Sequence, residues 1–114
     1  MKYGNKKTPV QYGDQTIVFD SKKEAARFEE LIALQKAGEI IDIWIQYPFE
    51  LQPGFEVNGH KYRPITYIAD FVYTRKDGSY VVEDVKGFRT EVYKLKRKMF
   101  AYKYRGDGIE ITEI

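Results

Sequence analysis

The feature that most restricts the fold is a pair of strand-forming runs joined by a short turn, in the stretch YIADFVYTRKDGSYVVEDVKG. Both runs are rich in β-branched and aromatic residues, and Lys76-Asp77-Gly78 supplies the turn between them. Each run carries charge where an apolar residue is expected, namely Asp70 in the first run and Glu83, Asp84 and Lys86 in the second. Burying a charge is costly unless the charge is paired or binds a metal. The hairpin therefore predicts either a cross-strand salt-bridge cluster or a binding site.

The length of the turn decides which charges face each other. If the loop has two residues, Asp70 lies opposite Val85, and if it is the three-residue Lys76-Asp77-Gly78, Asp70 lies opposite Asp84. The three-residue loop requires a left-handed residue at its third position, which is where Gly78 stands. We therefore predict the three-residue loop, with the two aspartates facing each other.

In that register the Cβ atoms of the two aspartates lie about 5 Å apart. Like charges that close destabilise each other, and a hard divalent cation relieves the conflict. Mg²⁺, for which Mn²⁺ is a substitute, binds one or two carboxylates, keeps several waters and typically meets a phosphate. Lys86 shares a strand face with Asp84 and is placed to stabilise negative charge or orient a water, while Glu83 lies on the other face. Glu24 is within reach from the first predicted helix.

The predicted elements follow the order helix, several strands, helix and strand. DSKKEAARFEELIALQKAG is a helix in which Ser21 and Glu24 form a capping box and Gly38 marks the end. Strands are predicted in IIDIWIQYPFELQ, in a hairpin around Asn58-Gly59, in the two runs above and in GIEITEI. TEVYKLKRKMFAYKYR is a second helix with Thr90 as its N-cap. The order predicts an α/β domain.

The second helix concentrates positive charge. Its predicted apolar stripe consists of Val92, Leu95, Met99 and Tyr102. Basic residues fill the flanks of that stripe, and we predict phosphate contacts by four of them: Lys94, Lys96, Arg97 and Lys98. The net charge of the chain is only +2, so it is the uneven distribution that indicates a polyanion-facing side. An ordinary solvated helix face is the alternative.

Composition sets the remaining limits. The length of 114 residues predicts a single domain over residues 1–114, and a flexible basic arm is predicted at about residues 1–15, where no periodicity is visible. The chain has no cysteine, which excludes disulfides and thiolate zinc sites and fits a reducing cytoplasm. No apolar run approaches the roughly 20 residues that span a bilayer, so no membrane partner is predicted.

The succession of an Asp, a hairpin, an Asp-x-Lys motif and a helix resembles the PD-(D/E)XK nuclease superfamily. The matching residues are Asp70, Asp84-Val85-Lys86 and, from the first helix, Glu24. The predicted order of elements matches that superfamily's αβββαβ core over nearly the whole chain, which implies a restriction-endonuclease-like fold with a mixed central sheet flanked by two helices. More narrowly, KYGNKKT, FDSKKEA and YIADFVY…VVEDVKG look like a group of small phage and prophage proteins. That group is similar in pattern to Holliday-junction resolvases and transposon-end endonucleases.

The resemblance implies a Mg²⁺-dependent DNA endonuclease. In the superfamily two acids hold the metal, a lysine assists the water and a helix acid supports the metal, and these roles fall here on Asp70 and Asp84, on Lys86 and on Glu24. Two residues depart from the motif, because Ala69 stands where the pattern has proline and Asp84 replaces the commoner glutamate. A shift of register would place Glu83 at the metal, but Lys86 would then point away.

We therefore predict hydrolysis of phosphodiester bonds in branched, Holliday-junction-like phage DNA. The small size leaves no room for a separate sequence-reading domain, and symmetric cutting of two strands requires a two-fold dimer, so we predict a homodimer. A non-catalytic DNA-binding or phage assembly module on the same fold is the alternative. An enzyme acting on RNA is a further one, because no motif in the sequence separates the two nucleic acids.

Overall fold

A computed structural model describes residues 6–86 and 88–114. In chain order the elements are β1 (Thr8–Tyr12), β2 (Gln15–Phe19), α1 (Lys22–Lys36), β3 (Ile40–Gln52), β4 (Phe55–Val57), β5 (His60–Tyr62), β6 (Ile65–Arg75), β7 (Tyr80–Asp84), α2 (Glu91–Lys103) and β8 (Ile111–Glu113). The central sheet has the strand order β3-β6-β7-β8, in which β7 and β8 are parallel and the other neighbours antiparallel. The predicted α/β class, with a mixed central sheet and two helices, is confirmed.

The central elements follow the order α1, β3, β6, β7, α2 and β8, as the sequence predicts. Two separate hydrophobic cores lie against the sheet. The first joins α1 and the β1–β2 hairpin to β6 and β7, with Phe28 and Phe71 at its centre. The second joins α2 to the sheet through Phe100, Val72 and Val82. Each strand of the hairpin β6–β7 therefore supplies side chains to both cores, as alternation requires.

The helix α1 begins and ends where the sequence predicts. The Ser21 hydroxyl accepts a hydrogen bond from the Glu24 N–H at 3.2 Å, which satisfies one of the N–H groups that a helix start leaves without a helical partner. At the other end Gly38 has a φ of 77°, the left-handed conformation that stops a helix. No described helix is both long and apolar enough to cross a membrane.

The side of α2 that packs on the sheet is not the predicted stripe. Tyr93 and Phe100 are buried, whereas Val92, Leu95 and Tyr102 are 62%, 58% and 67% exposed. Two sets of positions, one residue apart along the helix, both recur at helical spacing. The buried set contains Tyr93 and Phe100, whose rings can reach the aromatic residues of the sheet. The predicted stripe therefore lies about one residue away from the side of the helix that packs on the sheet.

The prediction of a flexible N-terminal arm is also wrong from residue 8 onward. Residues 8–12 form β1, which pairs with β2 through a turn in which Gly13 has a φ of 61°. Val10 is buried against the first core, and the Tyr12 hydroxyl donates to the Gln35 side chain at 2.9 Å. A strand with one buried residue carries too little periodicity to be predicted. The part of the arm at residues 1–5 lies outside the described residues.

Candidate active site

The turn between β6 and β7 is the predicted three-residue loop. Gly78 has a φ of 88°, and its N–H donates to the Arg75 carbonyl at 2.9 Å. The Asp77 carboxylate accepts from the Ser79 N–H at 2.9 Å and from the Ser79 hydroxyl at 2.6 Å. These hydrogen bonds select one loop length, and the loop length selects one register for the hairpin.

The paired residues of this hairpin end one position before Asp70 and Asp84. Phe71 pairs with Glu83, so continuing the ladder by one residue sets Asp70 opposite Asp84. The Asp70 carboxylate accepts a hydrogen bond from the Val85 N–H at 2.7 Å, which places it against β7 directly after Asp84. The predicted register is confirmed for residues 71–74 of β6 and 80–83 of β7, and the pairing of Asp70 with Asp84 is its extension by one residue.

Asp84 is buried, with 3% of its surface exposed, and both carboxylate oxygens have partners. Oδ1 lies 2.9 Å from Lys86 Nζ, and Oδ2 accepts from the Tyr67 hydroxyl at 2.6 Å. Lys86 Nζ also lies 3.9 Å from the centre of the Tyr93 ring, a cation–π contact. Burial, the bond to Asp84 and the charge of Asp70 raise the pKa of Tyr67. Tyr67 therefore stays protonated and donates to Asp84.

Glu83 lies on the opposite face of β7 from Asp84, and its side chain belongs to a different network. It is 1% exposed and accepts from Arg27 Nε of α1 at 2.8 Å and from the Tyr73 hydroxyl at 2.6 Å. The hydrogen bond to Glu83 raises the pKa of Arg27, and burial together with Glu83 raises the pKa of Tyr73 to about 12. Glu83 thus connects the sheet to α1 and does not lie with Asp84 and Lys86.

The first turn of α1 lies beside the end of β7. Lys23 Nζ donates to the Lys86 carbonyl at 2.8 Å, which joins the helix start to the end of the Asp-x-Lys motif. Glu24, the next residue, is 2% exposed. The predicted helix acid is therefore buried in the same helical turn that contacts Lys86.

Asp70 lies at a distortion of the sheet. Tyr67 and Ala69 pack in the same core as Val72, although strict alternation would place them on opposite faces. Gln46, level with Asp70 on β3, has a φ of 52°, which is uncommon for a residue other than glycine. Its side-chain amide donates to Asp70 Oδ1 at 3.3 Å. Strained backbone of this kind concentrates at functional sites.

The donors at this site are hard oxygen ligands. Within residues 6–86 and 88–114, no group of three or more acid, histidine or cysteine side chains is arranged to hold a metal ion. Mg²⁺ needs no such cage, because it commonly binds one or two carboxylates and completes its shell with water and substrate phosphate. An ion held by Asp70 and Asp84 would be bound in this second, open way.

The four predicted phosphate contacts on α2 differ in their surroundings. Lys94 lies 3.2 Å from Glu91, and Arg97 lies 3.1 Å from Glu113. Lys96 is half-buried, whereas Lys98 is exposed. All four lie on the helix that covers the Asp84 face of the sheet, so the predicted positive side and the candidate site belong to the same half of the molecule.

Glu113 also belongs to this region, although the sequence pattern did not point to it. Glu113 pairs with Asp84 across the parallel strands β7 and β8. It accepts from Arg89 Nε at 3.0 Å and from the Tyr93 hydroxyl at 2.8 Å, in addition to its contact with Arg97. The pairing of β7 with β8 spans the whole of α2, so no local sequence pattern indicates it.

The surroundings of Glu113 predict how stability depends on pH. The hydrogen bond from Arg89 lowers the pKa of Glu113 to about 2, below the ordinary glutamate value of 4.5. A group whose pKa is lowered in the folded state stabilises the protein at pH values above its unfolded-state pKa. That stabilisation is lost as the pH falls towards the folded-state pKa. We expect Glu113→Gln to remove part of the acid destabilisation between about pH 4.5 and 2. Urea unfolding at a series of pH values measures this, with the exposed Glu110→Gln as control. Equal pH profiles for both variants would contradict the expectation.

One family in the comparison with known proteins covers nearly all of this sequence. Its model matches residues 1–112, and the family is described as "Protein of unknown function (DUF1064)". The matched range includes Glu24, Asp70, Asp84 and Lys86. No curated protein matches the sequence. The chemistry of the chain therefore has to be inferred from the site itself.

Proposed function

The chain belongs to the DUF1064 family, and we propose that it is a metal-dependent DNA endonuclease of the PD-(D/E)XK kind that cuts branched, Holliday-junction-like DNA. The observation that carries the proposal is the meeting of Asp70, Asp84 and Lys86 at the end of β7. The Asp70 carboxylate accepts from the Val85 N–H, directly after Asp84, at 2.7 Å, and the lysine ammonium lies 2.9 Å from the Asp84 carboxylate. This combination supports phosphodiester hydrolysis, which needs a cation site and a positive side chain close to one phosphate.

In this proposal Asp70 and Asp84 hold a Mg²⁺ or Mn²⁺ ion, which when bound supplies charge neutralisation and an acidified water. Tyr67 orients the Asp84 carboxylate through its hydroxyl hydrogen bond. Lys86 holds its ammonium group at Asp84, where it can donate to a water or to a phosphate oxygen. The Tyr93 ring helps to hold that ammonium group in place through its cation–π contact.

Glu24 supports the site from α1 in the proposed mechanism. Its burial next to Lys23, which binds the Lys86 carbonyl, supports this role.

Phosphate contacts along the DNA are assigned to the positive side of α2, at Lys94, Lys96, Arg97 and Lys98. Such contacts position the nucleic acid and carry no sequence information. We further propose that the enzyme acts as a homodimer on phage DNA in the cytoplasm of the host cell.

The experiment is incubation of the purified protein with a four-way junction, a flap, a linear duplex and single-stranded DNA. Each is tested with Mg²⁺, with Mn²⁺ and with EDTA. We expect metal-dependent cleavage, fastest on the junction, and symmetric nicks on opposing strands if two subunits act together. Tight binding of the junction without cleavage in either metal would favour the non-catalytic DNA-binding module instead. A matched RNA junction tests the RNA alternative, and preferential cleavage of RNA would overturn the choice of DNA.

A further inference from the structure

A groove lined by aromatic side chains lies on the same face of the sheet as Asp84. Its cavity volume is about 270 Å³, and we call it the aromatic groove, with Trp44, Tyr47 and Tyr80 at its walls and Val72 and Val82 at its floor. The groove crosses three strands, because Trp44 pairs with Val72 and Val72 pairs with Val82. The groove is therefore built on the sheet itself and not on a loop.

The rings of the aromatic groove are open to solvent. Trp44, Tyr47 and Tyr80 are 38%, 40% and 55% exposed. The Trp44 ring lies 6.4 Å from the ring of Tyr47 and 6.4 Å from that of Tyr80, centre to centre. Phe100 of α2 and Tyr104, directly after the helix, also line the groove. Three clustered aromatic rings with open surface are typical of a binding surface.

The aromatic groove is continuous with the candidate active site. Val82 and Asp84 are two residues apart on β7 and both lie on the α2 side, so the groove floor begins about 7 Å from the Asp84 backbone. Positive charge is found at its edge, because Lys103 Nζ lies 5.8 Å from the centre of the Tyr104 ring. A nucleic acid with one phosphate at Asp84 would therefore carry a neighbouring nucleotide past the groove.

We propose that the aromatic groove stacks an unpaired nucleobase of the DNA next to the scissile phosphate. This inference rests on the proposed nuclease function. Every base has a π-face, and aromatic side chains bind bases by stacking with little regard to sequence. A base within a duplex is already stacked and paired, so only one from a single strand, a flap or a branch point can enter. The groove thus gives the enzyme a preference for unpaired nucleotides without a sequence-reading domain.

Trp44 is the only tryptophan of the chain, so its fluorescence reports directly on the groove. The probes are single-stranded oligothymidylate, an abasic oligonucleotide of the same length and a blunt duplex, all in EDTA to prevent cleavage. We expect oligothymidylate to quench the fluorescence about two-fold, and the abasic strand and the duplex to leave it nearly unchanged. Equal quenching by the abasic strand would overturn the proposal, because phosphate contacts alone would then explain it.

Two matched variants sharpen the test. Tyr80→Ser removes one wall of the aromatic groove and should weaken binding of oligothymidylate about ten-fold. Tyr62→Ser, which removes an exposed ring on the β4–β5 hairpin, should leave binding unchanged. A change in Trp44 fluorescence with protein concentration in the absence of DNA would instead show that a second copy covers the groove, and would overturn the proposal.

The same measurements separate this inference from the proposed activity. Asp84→Asn should keep the quenching by oligothymidylate, because Asp84 does not line the groove. Quenching without cleavage by the wild-type protein would leave the base site standing and refute the nuclease. Cleavage without quenching would leave the nuclease standing and refute the base site.

Discussion

Asp84→Asn is expected to lower the rate of junction cleavage by at least about 10²–10³-fold in Mg²⁺ while leaving DNA affinity within about three-fold of wild type. The amide has nearly the shape of the carboxylate, so it can still accept the Tyr67 hydrogen bond. It lacks the negative charge that pairs with Lys86 at 2.9 Å and that would hold the proposed divalent cation. The variant should therefore stay folded and cleave the junction much more slowly. Single-turnover cleavage and filter binding on the same junction measure the two effects separately.

The matched control is Asp107→Asn, which makes the same chemical change at an exposed position after α2. It should cleave at the wild-type rate and unfold at nearly the wild-type temperature. Asp84→Asn should be less stable, because it breaks the buried pair with Lys86, and circular dichroism should show it folded at the assay temperature. Unchanged cleavage by Asp84→Asn would contradict the proposed site. An equal loss in Asp107→Asn would show that general charge, and not the position of Asp84, controls the reaction.

Much of the fold was predictable because local signals agreed with it. Ser21 and Gly38 mark the two ends of α1, and Gly78 selects the loop that sets the register of β6 and β7. Glycine and capping residues act through the backbone within a few residues, so one sequence is enough to interpret them. That register, observed over residues 71–74 and 80–83, could therefore be predicted from the amino-acid sequence alone.

The parts that were missed depend on contacts between distant segments. Tyr67 and Glu113 approach Asp84 only once β6 and β8 have joined the sheet on either side of β7. The side of α2 that packs is decided by the rings beneath it, because two stripes on the helix had the same period. The left-handed Gln46 opposite Asp70 has no sequence signal at all, since glutamine is not a residue that favours this conformation.

The other large effect is expected on stability, from Arg27→Ala on the opposite face of the sheet. Arg27 donates to Glu83 at 2.8 Å, and the side chains of the two residues are 18% and 1% exposed. Removing the guanidinium leaves a buried carboxylate with the Tyr73 hydroxyl as its remaining hydrogen-bond donor among residues 6–86 and 88–114. We expect the free energy of unfolding to fall by about 3–5 kcal/mol, as for other broken buried ion pairs. Urea unfolding at pH 7 measures it.

Two further variants determine what that loss means. Arg27 also lies 3.7 Å from Glu30, but this pair is at the surface, so Glu30→Ala should cost less than about 1 kcal/mol. The double variant Arg27→Met with Glu83→Leu should recover most of the stability, because it removes both charges and keeps the volume. A loss below about 1 kcal/mol in Arg27→Ala would contradict a buried ion pair.

Because Glu83 and Asp84 lie on opposite faces of β7, the double variant should also cleave DNA at nearly the wild-type rate, and a large loss of cleavage there would make Glu83 part of the reaction.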